Sequence, residues 1–325
     1  MYSVTSRINA IQRDPNLKHL KQPRYGYLPL KMFQGKKFVD KKELFDRKRE
    51  NVDSSIVGLA VDYLTRYMSD NDSRTAFSIS LRGAKFKNEW ENNGYVKIDK
   101  LGNINFIDNQ QYFALITKQK SKNIFALFFN RIIKLFTKDK TLKLFNKFLK
   151  NVQGLDDNSI FNACRLAQYD AWYRAGGYFK TWKLIENINN ETLENIRTMV
   201  VNSLNFFASE GKIIKHTLTF NDVNSNSPTT GGYSKVVSCG DADFLTPNGL
   251  WDLKVSINKP SSKDTLQILM YWIMGLHSKQ SCYQNISKIG FFNPRLNYAW
   301  YINTKDIDPK LIKFVEDEII CYEKQ

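Results

Sequence analysis

The chain has 325 residues, enough for one large or two ordinary domains, and 42% hydrophobic with 14% aromatic content describes a folded protein, not a disordered one. Four isolated cysteines (Cys164, Cys239, Cys282, Cys321) make no C-x-x-C pair and only three histidines (His19, His216, His277) are present, which argues against zinc, iron–sulfur and histidine-built metal centres. The net charge of +16 is gathered into two blocks: residues 1–50 hold 13 Lys and Arg against 5 Asp and Glu, and residues 117–150 hold 10 against 1. Such blocks suit a polyanion track better than general solubilisation.

In chain order, residues 1–50 read as a basic, weakly structured arm, because Pro15, Pro23 and Pro29 interrupt any long helix. The first residues contain no apolar run of the kind a secretory leader needs, so a cytoplasmic protein without a membrane partner is expected. The spacing predicts a helix from about Ser54 to Met68, capped by Ser54 or Ser55. Thr75 to Lys85 alternates like a strand, and 86–117 reads as loops and short strands, so 51–120 is expected to contribute a helix and strands to the core.

Residues 121–190 read as a basic, largely helical insertion. Phe125, Phe128, Phe129, Ile132 and Phe136 fall at helical spacing, and further helices are predicted at about 157–175 and 191–208. The apolar stretch Ile124–Phe136 is broken by Asn130 and Arg131 and is too short to span a bilayer. Its aromatics fit inward packing, while its lysines could line a nucleic-acid path. Asp170 and Arg174, one helical turn apart, read as a salt bridge.

Beyond Gly211 the pattern turns to strands, predicted at Lys212–Phe220, Tyr233–Leu245 and Leu250–Ile257. A helix at about Ser262–Leu276 follows, then strands at Ile286–Phe292 and Tyr298–Asn303 and a last helix near 306–320. Arg295 falls on the turn between the last two strands. The order predicts an α/β fold with a central mixed sheet flanked by helices, its core within 191–325.

Chemistry concentrates in this part. Asp252 and Lys254 are two apart in a strand and share a face, with Leu253 on the other. Charged groups in so apolar a run are costly unless paired or metal-bound. Just upstream stands Gly240-Asp-Ala-Asp-Phe-Leu245, then Thr246-Pro-Asn-Gly249. A Pro247-Asn248 loop sets Asp243 opposite Asp252, and an Asn248-Gly249 loop sets it opposite Lys254; either puts the three residues on one face. Two carboxylates with a lysine suit a hard cation such as Mg²⁺, with the main-chain carbonyl of Leu253 as a further ligand. Such an ion polarises a phosphodiester oxygen, while Lys254 orients water or meets developing charge. On the next helix Gln267 and Tyr271, at i and i+4, share a face.

These residues resemble a known family. G-D-A-D-F-L, D-L-K and Q-x-x-x-Y, in this order over about residues 190–303, look like motifs of the PD-(D/E)XK nuclease superfamily in its RecB-like exonuclease branch. The resemblance implies a restriction-endonuclease-like core and Mg²⁺- or Mn²⁺-dependent cleavage of nucleic acid, DNA before RNA. It makes Asp243 and Asp252 metal ligands, Lys254 the catalytic lysine, and Gln267 and Tyr271 the accessory motif. The first motif of that branch, G-x-x-x-H, is approximated by Gly58-Leu-Ala-Val-Asp62, with Asp62 in place of histidine as a candidate ligand; Glu191 and Glu194 are rival acids. The Q-x-x-x-Y element points to exonuclease-like or structure-selective action, with a helicase or defence-system partner as an option. A sequence-specific or RNA-directed endonuclease of phage defence or a mobile element, and a non-cleaving nucleic-acid-binding module, are the alternatives.

Overall fold

The computed structural model describes residues 2–39, 42–93, 96–98, 104–106, 139–174, 183–221 and 231–323. They belong to two compact units: Met1–Glu43 with Thr198–Gln325, and Leu44–Arg197.

The N-terminal segment departs from the expected loose arm. Strand β1 (Tyr2–Ser3) leads into helix α1 (Val4–Arg13), capped by Ser3, whose Oγ accepts from the Ser6 N–H at 3.1 Å. Val4, Ile8 and Ile11 recur at helical spacing and are buried, joined in the same core by Leu28 and Phe33. Strand β2 (Gln34–Lys37) then forms an edge of the main sheet. The charge count suggested an arm, but the few aliphatic positions sit at the right interval to anchor it. Pro15 opens one short 3₁₀ turn and Pro29 precedes another, positions where proline fits, and neither stands in a helix interior.

In the second unit, α2 (Ser54–Asp70) is capped by Asp53, one residue before the expected serines; its Oδ1 accepts from the Ser55 N–H at 2.8 Å. The stretch expected as a strand over Thr75–Lys85 is helical, in α3 (Ser73–Ala76) and α4 (Ser78–Asn93). Its buried Phe77, Ser80, Ala84 and Asn88 recur every three to four residues, and Asp72 accepts from the N–H groups of Arg74 and Thr75. Strands β3 (Val96–Ile98) and β4 (Ile104–Phe106) pair only with each other among the described residues, and no described strand of 51–120 joins the main sheet. Helices α5 (Lys140–Lys150) and α6 (Asp157–Arg174) are the described parts of the expected helical insertion; residues 107–138 and 175–182 lie outside the described residues. Gly83 allows α4 to approach α6 closely, since a Cβ there would stand 2.2 Å from the Tyr169 carbonyl oxygen. Arg174 Nε donates to the buried Asp170 at 2.8 Å, the salt bridge expected from their spacing.

Helix α7 (Asn190–Glu210) carries the chain back to the first unit, which continues through β5 (Lys215–Leu218), β6 (Val237–Cys239), β7 (Ala242–Leu245) and β8 (Gly249–Leu253). Then come α8 (Ser262–His277), α9 (Ser281–Gln284), β9 (Lys288–Asn293), β10 (Tyr298–Asn303) and α10 (Pro309–Phe314), which runs into a π-helical turn at Val315–Ile320. The fold is α/β, with a six-stranded mixed sheet ordered β2-β10-β9-β8-β7-β5 and helices flanking it. Every neighbour pair is antiparallel except β8 and β9, which run parallel because α8 makes the crossover between them.

Alternation along β7 and β8 divides the sheet into two faces. Phe244, Trp251 and Phe292 meet Phe206 and Phe207 of α7, with Phe206 stacked on Phe292 at 4.2 Å between centroids. Leu245, Leu250 and Phe291 face α8 and α1, in a core shared with Leu266, Ile273 and Ile8. Among the described residues no helix is long and apolar enough to cross a membrane.

Candidate active site

The β7–β8 hairpin sets the register of the acids. Thr246 and Gly249 exchange N–H···O bonds of 2.9 and 3.4 Å around Pro247-Asn248, so the loop is the Pro-Asn alternative and not Asn-Gly. Phe244 pairs with Trp251 and Leu245 with Leu250; continued by one step, this register sets Asp243 across from Asp252. Two like charges directly opposite destabilise a hairpin. The ladder yields there: the Leu253 N–H donates to Asp243 Oδ2 at 2.9 Å.

Asp252 is only 6% exposed. Its Oδ2 stands 2.9 Å from Lys254 Nζ, yet receives no well-directed hydrogen bond. Burial pushes the Asp252 carboxyl up to about 7; the Lys254 charge pulls against this and the Asp243 charge adds to it. Lys254 follows the last residue of β8, where its N–H donates to the Phe292 carbonyl at 2.9 Å and extends the parallel ladder. In extended backbone the N–H and C=O of one residue point the same way and alternate from residue to residue. Leu253 therefore turns its carbonyl toward the side of Asp243, away from β9.

Lys254 Nζ meets three acceptors: Asp252 at 2.9 Å, Asp264 Oδ1 at 3.0 Å and Gln267 Oε1 at 3.2 Å. Burial lowers the affinity of this amine for its proton, but the two carboxylates outweigh it and hold the ammonium above the usual lysine range. Gln267 Nε2 donates in turn to Tyr271 Oη at 3.0 Å and to Thr5 Oγ1 of α1 at 3.2 Å. Burial, reinforced by Asp241, Asp252 and Asp243, raises the Tyr271 phenol well above its ordinary value. Its ring lies against Phe220, with centroids 5.5 Å apart. Asp243, Asp252, Lys254, Gln267 and Tyr271 are thus brought together in one unit.

No family model, curated protein or solved structure matches the chain. What the site can do rests on its own geometry.

Asp62 belongs to the second unit, on α2, where Arg66 engages both carboxylate oxygens at 2.7 and 3.0 Å. Glu191 pairs with Arg49 at 2.6 Å, and Glu194 pairs with Arg197. Among the described residues no group of three or more His, Cys, Asp or Glu could hold a metal. A cation at the hairpin would therefore rest on Asp243, Asp252 and the Leu253 carbonyl, with remaining ligands from water and substrate. Mg²⁺ accepts such a set, since it commonly takes one or two carboxylates and keeps several waters. The buried Asp252 Oδ2, lacking a directed hydrogen bond, fits it.

Two features escaped sequence reasoning. Asp264 stands at the third position of α8 with Ser261 as cap; S-x-x-D before an apolar run was the available signal. Thr217, which the β5–β7 register places across from Asp243, has φ of 55°, a left-handed conformation strained for a β-branched residue. Nothing in the sequence marks it.

Proposed function

We propose that the chain is a divalent-metal-dependent phosphodiesterase of the PD-(D/E)XK kind that cleaves nucleic acid, DNA rather than RNA, in an exonuclease-like or structure-selective manner. The observation that carries the reading is the convergence of Asp243, Asp252 and Lys254 where the β7–β8 ladder opens. One of these carboxylates is buried beyond what a neighbouring lysine fully compensates, which is unfavourable for a structural ion pair and apt for a cation. The succession α7, β5, β7, β8, α8, β9, with an antiparallel hairpin followed by a helical crossover to a parallel strand, supports a restriction-endonuclease-like core.

In this reading Asp243, Asp252 and the Leu253 carbonyl hold Mg²⁺ or Mn²⁺. The bound ion supplies charge neutralisation at a phosphoryl oxygen and a water of lowered pKa. Lys254 donates a proton-bearing N–H to the attacking water or to the oxygen on which charge develops. Gln267 fixes the ammonium from the helix side, and Tyr271 fixes Gln267. The basic residues bind the phosphate backbone without regard to sequence.

The test is incubation with single- and double-stranded DNA and RNA, with Mg²⁺, Mn²⁺ or EDTA, beside Asp252→Ala and Lys254→Ala. Metal-dependent cleavage that both substitutions abolish is expected. Cleavage in EDTA, or cleavage that survives either substitution, would overturn the assignment. Metal-independent binding without cleavage would favour a non-cleaving binding module.

A further inference from the structure

The geometry points to Asp264 as a positioning residue for Lys254, holding the ammonium in place through the cap of α8 when one of its N–H groups turns to substrate. The inference rests on the phosphodiesterase reading for its purpose, but its geometry stands independently.

A lysine ammonium has three N–H donors, and three acceptors stand close to Nζ, Gln267 Oε1 as a hydrogen bond and the Asp252 and Asp264 carboxylates as ion pairs. At rest, therefore, two carboxylates and an amide oxygen compete with water or phosphate for those N–H groups. Using Lys254 requires one acceptor to let go. Asp252 is the one that a bound cation would draw away, and its buried Oδ2 receives no directed hydrogen bond. Asp264 and Gln267 then remain to keep Nζ from swinging into solvent on its four-carbon stem.

Asp264 suits this part because its two oxygens are divided between two tasks. Oδ2 accepts from the Ser261 N–H at 2.7 Å and from Ser261 Oγ at 2.6 Å, closing the capping box. Oδ1 is left for Lys254 Nζ at 3.0 Å. The carboxylate is thus oriented by the helix terminus before it meets the lysine. With a long, flexible amine as its only partner it would lose far more freedom. The same helix brings Gln267 one turn later, so both holders of Lys254 move with α8. An asparagine at 264 has one acceptor and one donor group, and can serve the cap or the lysine but not both.

The experiment compares wild type, Asp264→Asn, Asp264→Glu and Ser261→Ala in the full chain. The readouts are steady-state cleavage, thermal unfolding, and the NMR signal of the Lys254 side-chain ammonium, assigned by its loss in Lys254→Met. Asp264→Asn is expected to lower kcat roughly 10- to 100-fold, the range of a misplaced catalytic group, with KM changed by no more than about twofold. It should also mobilise the Lys254 ammonium. Asp264→Glu, which keeps both acceptors, should recover most of kcat. Ser261→Ala, which removes the Oγ bond to Asp264 but leaves the Ser261 N–H on Oδ2, should lower Tm and reduce kcat far less than Asp264→Asn does. An ammonium as ordered in Asp264→Asn as in wild type would overturn the inference, as would an equal fall of kcat in Ser261→Ala. If wild type does not cleave at all, the phosphodiesterase reading fails alone. The ammonium signal, and additivity of Tm changes across Asp264→Asn, Lys254→Met and the double variant, then still decide whether Asp264 holds Lys254.

Discussion

Replacing Asp252 by asparagine should make the protein more stable and less active, and the gain should depend on pH. The buried carboxyl titrates at about 7 in the folded chain, against roughly 3.9 for an unperturbed aspartate in the unfolded one. Between those two values the folded protein keeps a proton that the unfolded chain has released. Stability therefore falls as pH rises through the window from about 4 to about 7. Three units at about 1.4 kcal/mol each place the full loss on the order of 4 kcal/mol at pH 8, with the Lys254 attraction already counted. Asparagine has the shape of the protonated acid and no charge. Urea unfolding in EDTA should thus find Asp252→Asn near parity with wild type around pH 4 and more stable at pH 8, by up to ~4 kcal/mol. Added Mg²⁺ should stabilise wild type by mass action and leave the variant unmoved. A variant less stable than wild type at pH 8, or a difference that does not change with pH, would refute the claim that Asp252 carries an undercompensated charge.

Gln267→Ala removes the link between Lys254, Tyr271 and Thr5, and should reduce cleavage more than Tyr271→Phe, which removes one hydrogen-bond partner worth about 0.5–1.5 kcal/mol; kcat measured for both checks the order. Gly240→Ala would set a Cβ 2.7 Å from Val4 Cγ2 and 3.3 Å from Tyr271 Cε1, so it should destabilise the first unit by about 1–3 kcal/mol, read by chemical unfolding. Deleting residues 1–13 should prevent that unit from folding, because Val4, Ile8 and Ile11 are part of its core; a truncated protein with native Tm would show the segment to be dispensable. Lys140, Lys143, Lys147 and Lys150 are exposed on one side of α5. Changing all four to glutamine should weaken DNA binding and flatten its salt dependence, by up to about 0.9 in the log–log slope for each phosphate that is no longer neutralised.

What the sequence determined by itself follows from short-range periodicity. Strand parity tied Asp252 to Lys254, helical spacing tied Gln267 to Tyr271, and both pairs stand as expected because each needs only local backbone geometry. The α/β class was legible for the same reason, since the order of elements after residue 190 survives small errors at their ends. Tertiary structure decided the rest. The alternation of Phe77, Ile79 and Leu81 imitated a strand, and the packing of α4 against α6 resolved it as a helix. The basic residues of the N-terminal segment masked three aliphatic anchors whose value appears only against α8. The hairpin loop could close on Pro247-Asn248 or Asn248-Gly249, and pairing across β7 and β8 chose the former. Asp264 remained invisible as a partner of Lys254 because the nine residues between them pass through an irregular loop, and a distance of 3.0 Å across such a loop leaves no period in the sequence.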